Sequence, residues 1–214
     1  MINDKLVSIV VPCFQAEHTI IETLDDIFNQ KYQPLEVIVV NDGSTDKTQL
    51  LLNEYHKKIS ILNQENKGAA AARNNGFKKT HGTYILFCDS DVKLKPHMVS
   101  AMVSTLEKNP KASYCYSSFV FGLHTFDLFP FDADKLRKEN YISTMSLIRR
   151  EHFIGFDESL KRFQDWDLWR RMLDRGYQGV WYPERLFSAP MHRKGISKFS
   201  LKTFFTILKR KILK

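Results

Sequence analysis

Residues 85–94 read ILFCDSDVKL, an apolar run that ends in two aspartates separated by one serine. Asp89 and Asp91 so placed repel one another unless hydrogen bonds or a hard divalent cation stand between them, and oxygen ligands suit such a cation. The competing reading is a solvated turn after a strand. A second acidic turn, VVNDGSTDKT, sets Asp42 and Asp46 between an apolar run and a helical pattern. Its Asn-Asp-Gly-Ser core equally suits an ordinary turn and helix cap. A third pair, Asp165 and Asp167 in RFQDWDLWRRM, is split by helical periodicity. Asp165 shares a stripe with Leu168, Trp169 and Met172, whereas Asp167 falls with Arg170, Arg171 and Asp174. An inward carboxylate has its pKa raised toward the range useful for a base, so Asp165 is the candidate base and Asp167 a partner in solvent-facing ion pairs. An inward Asp that caps the helix or pairs with a buried Arg is the alternative.

The elements around these groups alternate. LVSIVVP and LEVIVVND are continuous β-branched runs, as expected of strands buried on both faces of a parallel sheet. Between them AEHTIIETLDDIFNQ carries Ile20, Ile21, Leu24, Ile27 and Phe28 at helical spacing. The pattern repeats through STDKTQLLLNEYHKK, ISIL, GAAAARNNGFKKT and TYILFCD as helix, strand, helix, strand. Residues 1–91 therefore predict an α/β fold, Rossmann-like and mainly parallel with helices on both faces, whose carboxyl-end loops are the default ligand site. The second half is less regular. PHMVSAMVSTLEKN predicts a helix, ASYCYSSFVFG a strand or hairpin, and LHTFDLFPFDADKLRKENY an irregular insertion over a site.

Composition narrows the class. The 214 residues suffice for one core and carry a net charge of +8. Eight of the 32 Lys and Arg lie from Arg193 to Lys214, where there is no acidic residue, and the remaining 24 balance 24 Asp and Glu. A neutral body argues against nucleic acid as a partner. The division expected is a domain over 1–192 and a basic tail over 193–214. In the tail Leu201, Phe204, Phe205, Leu208 and Ile212 form an apolar helical stripe flanked by lysines, suited either to an anionic membrane surface or to docking on the body. Cys13, Cys88 and Cys115 are odd in number, widely spaced and set in apolar surroundings, which predicts buried free thiols in a reducing compartment. No apolar run is long enough to span a membrane, and MINDKL lacks the features of a signal peptide, so a cytoplasmic location is expected, with the tail on the inner face of the plasma membrane.

Five segments taken in order, VSIVVPCFQAEHTI, EVIVVNDGSTDKT, NKGAAAARNNGF, YILFCDSDV and FDESLKRFQDWDLWRRM, resemble family 2 glycosyltransferases of the GT-A fold. These are inverting enzymes that use nucleotide-diphospho-sugars, and the resemblance covers roughly residues 5–190. It implies that Pro12 to Glu17, Phe14 among them, and Asp42 cradle the base and ribose, with Asp42 accepting from the base. It further implies that Arg73 contacts the nucleotide, that Asp89, Ser90 and Asp91 bind the ribose and the metal-diphosphate, and that Mg2+ or Mn2+ sits on Asp91. The family's catalytic Asp aligns with Asp165. Three positions depart from the pattern: Gln15 stands for the usual Asn, Asn41 for the first Asp of the turn, and Gln164 for the Glu before the catalytic Asp. His192 falls where family members carry a metal-ligating histidine, but alignment on Ser197 puts it where an Arg is usual, so ligand and surface residue both remain open. The resemblance implies a UDP-sugar donor, a saccharide or lipid-linked acceptor and a place in bacterial surface polysaccharide synthesis. The alternative is a degenerate sugar-nucleotide-binding or membrane scaffold in which Gln15 and Gln164 mark lost activity. A haloacid-dehalogenase-like phosphatase would need its aspartates after the first strand, and a nucleotidyltransferase a Gly-rich loop where PCFQAE stands.

Overall fold

The computed structural model describes residues 5–190 of the chain. Its first half is the expected alternation: β1 (Val7–Cys13), α1 (Ile20–Phe28), β2 (Leu35–Asp42), α2 (Thr48–Glu54), β3 (Ser60–Gln64), α3 (Ala69–Phe77) and β4 (Tyr84–Phe87). Thereafter come β5 (Lys93–Leu94), α4 (Met98–Lys108), β6 (Tyr114–Phe121), β7 (His124–Phe126), α5 (Ala133–Lys138), β8 (Leu147–Arg149), α6 (Gln164–Asp174) and β9 (Gly179–Ala189). The strands form one sheet in the order β3-β2-β1-β4-β8-β6-β9-β5, with β7 on β6.

β1 to β4 pair in parallel, as the β-branched runs predict. The second half is mixed: β8 runs antiparallel to both β4 and β6, β9 runs parallel to β6 through a bulge at Ser117–Phe119, and β5 closes the edge antiparallel to β9. The "mainly parallel" sheet is thus a property of the first half. The sheet separates two cores, because successive strand residues point to opposite faces. Val7, Ile9, Val11, Tyr84 and Leu86 pack with α1, α2 and α4, whereas Val10, Ile85 and Phe87 pack with α3, α5 and α6.

α3 lies close against the sheet because its inward residues are small. A Cβ on Gly76 would stand 2.4 Å from Val10 Cγ1 and 3.0 Å from Val40 Cγ2. That close approach sets Arg73, one turn earlier, against the strand ends. The chain leaves β1 first toward β2 and β3 and later returns to β4 on β1's other side. Such a reversal opens a crevice at the strands' carboxyl ends, where open α/β sheets bind ligands. Pro12 and the Asp89-Ser90-Asp91 turn flank it.

Candidate active site

A cleft of about 330 Å³ at this reversal is lined by Pro12, Arg73, Asp89, Ser90, Asp91 and Asp165, together with Phe121, Thr144, Lys161, Arg162, Phe163 and Gln164. Six residues singled out from the sequence therefore share one cavity. They come from β1, α3, the turn after β4 and α6, which are far apart in the chain.

Arg73 joins the two halves. Its guanidinium is buried, with Nη2 donating to Asp89 Oδ1 at 2.6 Å and Nη1 to Gln164 Oε1 at 3.3 Å. It lies 5.4 Å over the Phe156 ring, and its Nε has no hydrogen-bond partner among the described residues. A buried guanidinium N–H without a partner is costly, and it stands beside a cleft into which an anionic ligand could bring an acceptor.

Asp165 sits in the first turn of α6, half-buried, with Leu168, Trp169 and Met172 fully buried on the same side. Its Oδ1 accepts from Trp166 N–H at 2.9 Å and Asn140 Nδ2 at 3.2 Å. Burial raises its pKa, against the opposing pull of those two donors and of the Arg73 charge. Asp167 instead pairs with Arg171 at 2.7 Å and Asp174 with Arg137 at 2.7 Å. The two aspartates take separate partners as the expected register of α6 implies, but the Asp167 pair is half-buried rather than solvent-facing, and Arg171 also donates to Gly155 O.

Phe14, Glu17 and Asp42 lie in the loops beside the cleft rather than in its lining. Asp42 is buried and holds the start of α3: Oδ1 accepts from Lys67 N–H and Gln64 Nε2, and Oδ2 from Gly68 N–H. Glu17 faces the loop after β2, where Oε2 accepts from Lys47 N–H at 2.9 Å. Phe14 is half exposed. Gln15, at φ 51°, clasps the same loop by accepting from the N–H groups of Thr45 and Asp46. Its carboxamide thus braces the two loops, a role its type does not announce in the sequence. Asn140 and Phe163 were likewise invisible, since nothing in their spacing shows what they meet, and Gln164, noted only as a departure from the family pattern, gave no sign of its contact with Arg73.

Cys13, Cys88 and Cys115 are buried and free. Burial, reinforced by Asp46 and Asp42, pushes the Cys13 thiol up to about 12, and burial with Asp89 and Asp91 nearby raises Cys88 well above the thiol range. They stay protonated, so thiolate chemistry is not available to the cleft. Among the described residues no group of three or more His, Cys, Asp and Glu is gathered as a metal site. The two carboxylates of the Asp-Ser-Asp turn nevertheless suit Mg2+ or Mn2+, which protein sites commonly hold through one or two carboxylates plus substrate phosphates. His192 and the tail lie outside the described residues. No helix among the described residues is long and apolar enough to cross a membrane.

The fold is that of GT-A domains. The chain superimposes on S. aureus TarS 1–349, solved with UDP-GlcNAc, with a TM-score of 0.76 at 18% identity, covering 91% of this chain and 61% of that one. It superimposes likewise on the mannosyltransferase PcManGT of Pyrobaculum calidifontis, solved with GDP-Man and Mn2+, with a TM-score of 0.73 at 19% identity over 90% of this chain and 59% of that one. The family model described as Glycosyl transferase family 2 matches residues 8–214, and the chain belongs to that family. Among its relatives is the uncharacterized glycosyltransferase RT0329 of Rickettsia typhi, 31% identical over 186 residues, which are 78% of this chain and 58% of the relative. Another is the UDP-Glc:alpha-D-GlcNAc-diphosphoundecaprenol beta-1,3-glucosyltransferase WfgD of Escherichia coli, 35% identical over 119 residues, 55% of this chain and 47% of the relative. The chain thus spans less than two thirds of the length of these relatives.

Proposed function

We propose that the chain transfers a sugar, with inversion, from a UDP-sugar to a hydroxyl of a saccharide or lipid-linked acceptor, in the synthesis of a bacterial surface polysaccharide. The observation that carries this reading is the meeting of Arg73, the Asp89-Ser90-Asp91 turn and Asp165 in one cleft at the reversal of the sheet. The donor class is supported by a solved neighbour that holds UDP-GlcNAc and by a relative whose name specifies UDP-Glc, and the acceptor class by that relative's diphosphoundecaprenol-linked substrate.

In this reading the base and ribose lie along Pro12, Phe14, Glu17 and Asp42. Asp42 Oδ2 holds a single hydrogen bond and has a lone pair to spare for the base. Arg73 brings a fixed positive charge and its unpartnered Nε–H toward the diphosphate. Asp91, with Asp89 and Ser90 beside it, would hold Mg2+ or Mn2+; when bound, such an ion acts as a Lewis acid on the departing diphosphate. Inversion needs a single in-line displacement, so a carboxylate must take the acceptor hydroxyl's proton as that oxygen attacks the anomeric carbon. Its place in the cleft lining and a pKa raised by burial support Asp165 in that role. Two donors fix Oδ1, and Oδ2 is the atom we assign to the proton. Gln164 then has a clear part: a neutral carbonyl that steadies Arg73 without adding a second negative charge beside the base.

Residues 193–214 extend the reading to the cell: eight basic residues beside an apolar pattern suit peripheral attachment to anionic lipid at the inner face of the plasma membrane. The test of the whole proposal is incubation of the full chain with a panel of nucleotide-sugars, Mn2+ and simple glycosides, following nucleoside diphosphate release. Nucleotide binding without release from any donor would instead identify a degenerate scaffold.

A further inference from the structure

Phe163 is not explained by the transfer chemistry. It lines the cleft, yet its side chain leaves the residue 62% exposed. Its backbone sits at φ 58°, ψ 29°, in the left-handed region that bulky residues rarely adopt. An exposed ring and a strained backbone are both unfavourable, and among the described residues the aromatic contact of the ring is edge-to-face with Trp166 at 6.0 Å. Strain of this kind at a cleft wall is a reason to look for a ligand. The conformation has a directional result: it ends the preceding loop abruptly, starts α6 at Gln164 and leaves the ring at the wall of the cleft that Asp165, two residues on, also lines. The groups assigned to the nucleotide come from the ends of β1, β2 and β4 and from α3, whereas this ring arrives with the base.

We propose that Phe163 determines the acceptor: its ring is a platform for the C–H face of a pyranoside, set so that a hydroxyl of that sugar meets Asp165. Aromatic rings carry negative charge on their faces and favour weakly positive hydrogens, several of which a pyranoside holds together on one rigid face, whereas an acyclic polyol holds no such fixed face. The inference rests on the transferase reading and names the acceptor class within it, a pyranoside sugar rather than a polyol phosphate.

The test uses the full chain and two replacements. Phe163→Asn keeps a residue that tolerates the left-handed backbone and removes the ring; Phe163→Trp keeps a ring. The probes are octyl β-glucoside and octyl N-acetyl-β-glucosaminide, with glycerol 3-phosphate as the acyclic control. Glycoside binding is followed by tryptophan fluorescence, donor binding by thermal shift with UDP-GlcNAc and Mn2+, and transfer by nucleoside diphosphate release. Phe163→Asn is expected to weaken glycoside binding and raise the acceptor KM by roughly three- to tenfold, the span of an aromatic contact, with donor binding unchanged and Phe163→Trp close to wild type. Unchanged glycoside binding in Phe163→Asn would overturn the inference, as would an equal loss of donor binding. Glycoside binding that depends on Phe163 in a chain that binds no nucleotide-sugar would uphold the platform while defeating the transferase reading.

Discussion

Replacing Asp165 and Asp167 by Asn, one at a time, separates catalysis from architecture within a single turn of α6. In Asp165→Asn the carboxamide oxygen can still accept from Trp166 N–H and Asn140, so the local fold is kept. What is lost is the carboxylate proposed as the base. A positioned base contributes about 10²- to 10⁴-fold, or roughly 3–5 kcal/mol of barrier, and turnover should fall by that factor with donor binding preserved. Stability should move the other way. Because burial raises the Asp165 pKa above its unfolded value, the folded chain binds that proton more tightly than the unfolded chain does. The stability this group gives is full below the unfolded carboxylate range and falls as pH rises through the raised folded value. Asn cannot ionise, so the variant should match wild type in acid and melt at the same temperature or higher near neutrality. Wild-type turnover, which needs the carboxylate, should fall toward acid at a pH above that of an ordinary aspartate. Asp167→Asn removes an i,i+4 pair with Arg171, worth about 0.3–0.5 kcal/mol for such pairs, and should lower the melting temperature slightly with turnover near normal. The assay is steady-state nucleoside diphosphate release beside thermal melts from pH 4 to 8. Turnover retained in Asp165→Asn and lost in Asp167→Asn would refute the assignment of faces on α6.

Three further outcomes are expected. Asp91→Asn should nearly abolish transfer while the melting temperature is unchanged, and excess chelator should silence the wild type; full turnover in chelator would remove the metal from the account. Gly76→Ala should cost about 1–3 kcal/mol by overpacking, because its Cβ would push on Val10 and Val40, and should raise the donor KM by displacing Arg73; urea melts and donor titration read both effects. Removal of residues 198–214 should sharply weaken a salt-sensitive binding to anionic liposomes in a flotation assay and leave transfer to a short soluble glycoside largely intact, and equal flotation of both forms would reject the membrane role.

The parallel half of the fold was legible because its signals are local: β-branched runs for β1 and β2, a helical stripe for α1, and an acid-Ser-acid turn at a strand end. The register of α6 was legible for the same reason, since 3.6 residues per turn alone divides Asp165 from Asp167. β8 and β9 were not. β8 is three residues long and takes its place by pairing with both β4 and β6, partners more than 30 residues away. β9 carries Pro183, Glu184 and Arg185 at its exposed middle, which breaks any strand pattern, and β6 answers with a bulge. The contact of Arg73 with Gln164 depends on how the two halves meet, and so does the support of Asp165 by Asn140. Residue types could nominate members of the site; only the tertiary arrangement shows which of them touch.

β9 ends at Ala189, and Pro190 lines both the cleft and an adjoining pocket that it shares with Asp91 and Lys93. Covalent geometry then sets a leash. Arg193, the first cation of the basic run, follows three residues on in the sequence, and a fully extended chain covers at most about 3.6 Å per residue. Three residues thus span at most roughly 11 Å of backbone, somewhat more than the ~8 Å screening length at physiological salt. An anionic surface held by the basic run, in the reading proposed above, would be tethered from Pro190 at the wall of the cleft, so the direction the cleft faces on that surface would be constrained by the point from which the chain departs.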